Sequence, residues 1–218
     1  MISVEKIGGS LLPPDGSGYE EVIEHVLSER DKGKKVMLIV SAPKGMTNLL
    51  IENYNEFVRP NSDINTLDER VNFIYNTYRP IFDFSPSVME VLQEIGTNLN
   101  QSKKRRVNTY DLVVSSGETV SGRRFEAGFR KLGLDCEYLD GPQFGIEVDM
   151  LGRILPKTFE NSKDKIIDFL NKDKIMIVGG FAGYTVDEEG VEHTKLLERQ
   201  GTDNTHGICT AENKKYSN

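Results

Sequence analysis

The sequence predicts an α/β protein with a mainly parallel sheet that helices cover on both faces. Strand-like runs alternate with helical patterns along the chain, an order that is typical of parallel sheets. The run KKVMLIVSAP (34–43) is continuously apolar at its centre, as strands buried on both faces are. The 218 residues, 37% hydrophobic and 28% charged, suit a globular chain of one large or two small domains.

The first half of the chain predicts two strands and a long helical region. ISVEK (2–6) alternates like a strand, and the apolar run at 34–43 is the second strand. Between them, apolar residues recur at helical spacing from Tyr19 to Arg30. The segment from about 46 to 100 is largely helical, and three prolines divide it into separate helices: Pro60, Pro80 and Pro86.

The second half predicts three more strands, two helices and a hairpin. TYDLVVSSGE (109–118) is predicted as the third strand, with a helix from Glu118 to Leu132. DCEYLD is a short fourth strand, and a helix from Ser162 to Leu170 has Ser162 as its candidate N-cap. KIMIVGGFAG predicts the fifth strand, and a hairpin then turns at Asp187 to Gly190.

The amino-acid composition excludes several classes of binding partner and site. The net charge of -7 argues against a general affinity for nucleic acid or for an anionic membrane. Cys136 and Cys209 lie far apart in sequence, so they predict reduced thiols rather than a disulfide framework or a zinc site. The three histidines show no metal-ligand spacing, and no run of 18 apolar residues or signal-peptide region occurs in the sequence. We therefore expect a cytoplasmic protein without a metal site of its own.

The end of the first predicted strand combines a cation with two glycines. Lys6 is followed by Gly8, Gly9 and Ser10, so backbone N–H groups are accessible beside a positive charge. This arrangement suits a phosphate cradle. A tight turn with a surface lysine is the alternative reading of the same ten residues.

Other predicted strand ends carry small, hydroxyl or charged residues as well. Ser41, Gly45 and Thr47 follow the second strand, and Ser115 and Glu118 end the third. GGFAG ends the fifth strand, and LLERQGTDNT follows the hairpin. Because ligands collect at the carboxyl ends of parallel strands, these segments predict one common site.

Five segments, in this order, resemble the amino-acid kinase family, and most closely the aspartokinases within it. SSGETVS, QFGI and the Arg-x-Gly-[Ser/Thr]-Asp pattern separate aspartokinases from the acetylglutamate, carbamate and UMP kinases of the same fold. The resemblance runs from residue 2 to about residue 211. It implies an amino-acid kinase-like (carbamate kinase-like) fold over 1–211, and we expect a polar tail at 212–218 and no regulatory domain, although regulatory domains usually follow in the family. The segments are VEKIGGSLL, IVSAPKGMTNLL, VVSSGETVSGRRFEAGFRKLGLDCEYLDGPQFGI, IMIVGGFAGYTVDEEG and LLERQGTDNT.

The resemblance implies an ATP-dependent phosphotransferase that acts on a carboxyl group. Its reaction would convert L-aspartate to 4-phospho-L-aspartate, the first step towards lysine, threonine and methionine, with Mg²⁺ bound mainly through the nucleotide phosphates. A carboxylate is already ionised at pH 7, so the nucleophile needs no general base. Catalysis then consists of alignment and charge neutralisation.

The family's functional residues match two groups of positions here. By the resemblance, Lys6 neutralises the transferring phosphoryl group and Asp203 organises that lysine. The phosphate- and nucleotide-binding loops correspond to Gly8, Gly9, Ser10 and Ser41. The acceptor-binding residues correspond to Thr47, Glu118 for the α-ammonium, Phe181, Arg199 for a carboxylate, and Thr202 where the family usually has serine.

The sequence departs from the family pattern at two places. Glu198 and Gln200 replace glycines beside Arg199, where positive φ angles or close backbone approach would favour glycine. The family's nucleotide-binding half has no counterpart after Asp203, so we expect a homo-oligomer or a partner chain. Two alternatives to the aspartate kinase reading follow: a non-catalytic amino-acid-binding or regulatory relative, and a kinase for a different carboxylate acceptor.

Overall fold

A computed structural model describes residues 2–59, 66–105, 108–198 and 201–216. Its centre is a four-stranded sheet in the order β1-β2-β4-β3, in which every pair of neighbours is parallel. The prediction of a mainly parallel sheet is therefore confirmed. The strands are β1 Ile2–Ile7, β2 Lys35–Val40, β3 Cys136–Leu139 and β4 Ile175–Gly179.

Nine helices and a separate hairpin surround this sheet within the described residues. The hairpin pairs β5 Ala182–Val186 with β6 Glu192–Leu196 in antiparallel register and turns at Asp187 to Gly190, as predicted. The helices are α1 Ser17–Asp31, α2 Met46–Val58, α3 Leu67–Thr77, α4 Arg79–Phe82, α5 Pro86–Arg105, α6 Tyr110–Lys131, α7 Gly141–Phe144, α8 Thr158–Asn171 and α9 Gly201–Tyr216.

The helical segment after β2 is divided as the sequence predicts. Pro80 lies in the first turn of α4 and Pro86 begins α5, positions at which the missing N–H costs no hydrogen bond. Pro60 lies outside the described residues. A membrane-crossing helix needs about 20 apolar residues, and no helix in the described part of the chain meets that requirement.

The sheet separates two hydrophobic cores, and β2 contributes to both. Val36, Leu38 and Val40 pack in the core that contains residues of α1, α2, α5 and α6. Met37 and Ile39 point into the other core, beside residues of α7, α8 and α9. All five side chains are fully buried. This two-sided burial explains why the second strand is continuously apolar, and it confirms that helices cover both faces.

The predicted third strand is wrong, because TYDLVVSSGE belongs to α6. The β-branched pair Val113–Val114 suggested a strand, but both valines are buried together with Gly117 and Val120 at helical spacing. The hydroxyl of Ser116 donates to the Leu112 carbonyl at 2.7 Å, a bond that is possible only in a helical turn. The sheet consequently has four parallel strands, and α6 crosses one of its faces.

Two smaller expectations about helix ends also need correction or extension. Ser162 is not an N-cap: it lies inside α8, and its hydroxyl donates to the Thr158 carbonyl at 2.9 Å. Helix α9 extends to Tyr216, so part of the expected polar tail is helical. Cys136 and Cys209 are both free and buried.

We predict that Gly122→Ala lowers the free energy of unfolding by about 1–3 kcal/mol. A Cβ at this position in α6 would lie 2.1 Å from the ring of Tyr138 on β3, so the helix or the ring must move. Gly207→Ala in α9 is the matched control. Its Cβ would meet nothing within 4 Å, so stability should rise by up to about 1 kcal/mol. Urea denaturation measures both, and equal stability of the Gly122→Ala and wild-type proteins would contradict the packing argument.

Candidate active site

A cavity of about 370 Å³ lies where the loops that follow β1 and β2 meet α6 and the start of α9. Ile7 pairs with Val40 at the ends of the two strands, so their following loops start side by side. Seven residues that the sequence assigned to the site line this candidate cavity: Gly9, Ser10, Ser41, Thr47, Glu118, Phe181 and Thr202.

The loops after β1 and β2 are in direct backbone contact. Ser41 N donates to the Ile7 carbonyl at 3.0 Å, and Lys44 N donates to the Leu12 carbonyl at 2.9 Å. A Cβ on Gly9 would lie 2.5 Å from the carbonyl oxygen of Ala42. Glycine is therefore required at position 9 because the second loop approaches so closely, and this approach forms one wall of the cavity.

Glu118 is the most deeply buried polar residue of the cavity lining, with 4% of its surface exposed. Its Oε2 accepts a hydrogen bond from Phe181 N at 2.6 Å, and its Oε1 accepts one from the Thr202 hydroxyl at 3.2 Å. No ion pair joins Glu118 to another described residue. Burial therefore dominates and raises the pKa of Glu118 to about 8, while hydrogen bonds from the Phe181 backbone, the Thr202 side chain and the Gly180 backbone act in the opposite direction.

The position of Glu118 differs from the one that the sequence suggested. The sequence predicts Glu118 at the start of a helix, after a strand, where the helix dipole would favour a carboxylate. It lies instead in the interior of α6, which begins at Tyr110. The helix brings the carboxyl group into the cavity from the side, and burial rather than the helix dipole controls its ionisation.

Thr202 connects three parts of the cavity. Its hydroxyl donates to Glu118 on α6 and accepts from the Ser41 hydroxyl, after β2, at 3.3 Å. The start of α9 is held there by Thr205, whose hydroxyl donates to the Gly180 carbonyl at 2.9 Å. A Cβ on Gly180 would lie 2.8 Å from Thr202, so glycine permits this approach.

Lys6 and Asp203 form an ion pair between β1 and the first turn of α9. The Lys6 Nζ lies 2.5 Å from the Asp203 Oδ1, and the side chains are 35% and 52% exposed. Such an exposed pair adds little to stability, so its effect is to fix where the ammonium group lies. Lys6, Gly8 and Asp203 are outside the lining of the candidate cavity.

The loop that departs from the family pattern contains Glu198, Arg199 and Gln200, and the structure describes Glu198. Arg199 and Gln200 lie outside the described residues. Glu198 faces a neighbouring open cavity of about 490 Å³, which Asp203 also lines. Glu198 N donates to the Gly152 carbonyl at 3.1 Å, so the loop is held on that side by the 149–155 segment.

Sequence reasoning missed two features of the site. Lys44 lines the candidate cavity. The sequence feature that could have indicated this was its position in the loop after β2. A second, polar cavity of about 240 Å³ lies on the other side of Glu118 and is lined by Ser115, Thr119 and Arg123. These three residues share one face of α6, a pattern hidden when 109–118 was read as a strand.

The chain belongs to the amino acid kinase family, whose sequence model matches residues 1–212. Among individual relatives, aspartokinase 3 of Bacillus subtilis (strain 168) is 26% identical over 218 residues, covering 95% of this chain and 45% of that protein. The resemblance to aspartokinases seen in the sequence is thereby confirmed. The chain spans about half the length of the curated relative that it matches.

Solved structures share this fold. Aspartokinase III of E. coli, determined in complex with aspartate and ADP, matches with a TM-score of 0.74 and 23% identity, covering 97% of this chain and 46% of that one. The aspartate kinase of Clostridium acetobutylicum matches with a TM-score of 0.67 and 21% identity, covering 97% of this chain and 45% of that one. The predicted amino-acid kinase-like fold is confirmed.

We predict that the stability of wild-type protein relative to Glu118→Gln falls as the pH rises from about 5 to about 8. With its pKa raised to about 8, folded Glu118 binds a proton that the unfolded chain has already lost, so rising pH favours unfolding. The limiting slope is about 1.4 kcal/mol per pH unit. Urea denaturation at several pH values measures it.

The same substitution at exposed Glu188, in the hairpin turn, controls for the loss of one carboxyl group. The difference in free energy of unfolding between wild type and Glu118→Gln should change with pH more steeply than the difference between wild type and Glu188→Gln. Parallel stability curves for wild type and Glu118→Gln over this range would contradict the assignment of a buried, protonated Glu118.

Proposed function

We propose that this chain forms the acceptor-binding part of an aspartate kinase, which transfers a phosphoryl group from ATP to the side-chain carboxylate of L-aspartate. The product is 4-phospho-L-aspartate. The observation that carries the proposal is the candidate cavity, in which seven expected site residues from separate segments meet around buried Glu118. Membership of the amino acid kinase family supports the reaction class.

Glu118 is the proposed partner of the acceptor's α-ammonium group. A buried acid without a cationic neighbour gains a partner when an ammonium group enters, and it then ionises. Phe181 N and the Thr202 hydroxyl already hold its two oxygens in place. Thr47 and Phe181 contact the rest of the acceptor, and Arg199 binds its α-carboxylate through a charge-assisted fork.

The phosphoryl group is proposed to sit at the β1 side of the cavity. Lys6 neutralises its charge, while Gly8, Gly9 and Ser10 contribute backbone N–H groups and a hydroxyl, with Ser41 adjacent. Asp203 orients the Lys6 ammonium, which supports transfer by alignment rather than by a general base. Mg²⁺ would supply additional charge neutralisation and be held mainly by nucleotide phosphates, since the described residues contain no cluster of three metal-ligating side chains.

A cytoplasmic location and a second chain, either another copy or a partner that supplies the nucleotide-binding half, complete the proposal. Met150 and Leu151 are 69% and 65% exposed, next to Gly152 in the lining of the open cavity that Asp203 shares. Exposed apolar side chains beside an open cavity favour an interface at that place.

We predict ADP release that depends on L-aspartate when the chain is given Mg·ATP. Hydroxylamine trapping of the acyl phosphate identifies the product, and calorimetry measures L-aspartate binding without nucleotide. Release with L-glutamate or N-acetylglutamate instead would favour the different-acceptor reading. Binding of L-aspartate without turnover would support the acceptor-binding role and leave two readings, a nucleotide-binding half on a partner chain or a non-catalytic amino-acid-binding relative. No binding at all would contradict the proposal.

We predict that Lys6→Ala and Arg199→Ala affect different steps. Lys6→Ala should lower turnover by about 100-fold or more and leave L-aspartate affinity within about threefold, because its charge acts on the phosphoryl group. Arg199→Ala should weaken L-aspartate binding by roughly 10- to 100-fold, the value of a charge-assisted pair. Steady-state kinetics and calorimetry distinguish them. Equal losses in both parameters for Lys6→Ala, or unchanged affinity for Arg199→Ala, would contradict the roles assigned.

A further inference from the structure

Lys44 lies in the loop between β2 and α2, on the wall of the candidate cavity. Both backbone polar groups of Lys44 form hydrogen bonds. Its N–H donates to the Leu12 carbonyl at 2.9 Å, and its carbonyl accepts from the Tyr78 hydroxyl at 2.8 Å. Gly9 is close by, since a Cβ on Gly9 would lie 3.8 Å from Lys44 N. The base of the Lys44 side chain is therefore fixed beside the loop proposed to receive the phosphoryl group.

The ammonium group of Lys44 is available to a ligand. It forms no hydrogen bond or ion pair with any described residue, whereas the cations of Lys6, Lys34 and Lys174 are each paired with a carboxylate. The residue is exposed at the mouth of the cavity. Binding an anion there would not require an existing ion pair to break.

The cavity lining contains only two ionisable side chains among the described residues, Lys44 and Glu118. If Glu118 takes the ammonium group of the acceptor, the acceptor's carboxylates and the incoming phosphoryl group remain to be neutralised. Arg199 is assigned one carboxylate and Lys6 the phosphoryl group from the β1 side. An unpaired cation in the same lining is available to neutralise the remaining negative charge.

We propose that Lys44 is an additional anion-binding residue of this site and contacts the oxygens of the reacting group. That group is the side-chain carboxylate of the acceptor or the phosphoryl group that it receives. Lys44 thereby increases affinity for the acceptor or for the nucleotide. The inference rests on the proposed function and adds a residue to its machinery.

The test uses three variants of the full chain. Lys44→Met removes the charge and keeps the length of the side chain, and Lys44→Arg keeps the charge. Lys104→Met is the matched control, because Lys104 is an exposed lysine of α5 that does not line the cavity. Thermal denaturation checks that each variant is folded, and calorimetry at low salt then measures binding of L-aspartate alone and of Mg·ATP alone.

We expect Lys44→Met to weaken binding of one ligand about tenfold and to reduce the salt dependence of that binding. Lys44→Arg should remain within about threefold of wild type, and Lys104→Met should be unchanged. A loss confined to L-aspartate assigns Lys44 to the acceptor carboxylate, and a loss confined to Mg·ATP assigns it to the phosphoryl group.

Two results would overturn the inference, and they are distinguishable. If wild type binds L-aspartate and Lys44→Met binds both ligands with wild-type affinity, Lys44 is a solvated surface lysine and the proposed function stands. If wild-type protein binds no L-aspartate, the proposed function fails and the role of Lys44 fails with it.

Discussion

The burial of Glu118 is the constraint on which the rest of the candidate site depends. A carboxyl group removed from water favours its neutral form and needs hydrogen-bond partners, and Glu118 receives them from different elements: Phe181 N follows β4, and Thr202 lies in the first turn of α9. The cavity therefore requires three separate parts of the chain to be correctly packed. The same burial raises the pKa of Glu118, because the charged form loses the solvation that water would provide.

Close backbone approach makes this burial possible. Helix α6 passes so near the sheet that Gly122 has no room for a Cβ beside Tyr138, and Gly180 leaves space for Thr202. The two cores on opposite faces of the sheet hold the strand ends still. Rigid strand ends suit catalysis by positioning of the reactants. The reaction rate falls when a reacting group is misplaced by a fraction of an ångström.

The hydrophobic pattern was sufficient to predict the four parallel strands. A continuous apolar run such as 36–40 is typical of a strand whose sheet is covered by helices on both faces. It failed at 109–118, where Val113 and Val114 suit a strand locally and only packing against the sheet selects a helix. The location of the cavity was predictable because strand ends meet at one edge. The place of Lys44 in the cavity lining was not predictable, since a lysine in a loop carries no signal until its neighbours in space are known.

The ion pair between Lys6 and Asp203 joins residues 197 positions apart, the first strand and the last helix described. During synthesis the first strand emerges from the ribosome long before its partner exists. Lys6 has no Asp203 partner until α9 has been synthesised and packs on β1, where His206 Nε2 also lies 3.2 Å from the Val4 carbonyl oxygen. The Lys6–Asp203 ion pair therefore depends on two segments that are synthesised far apart in time, and it forms only when α9 packs against β1.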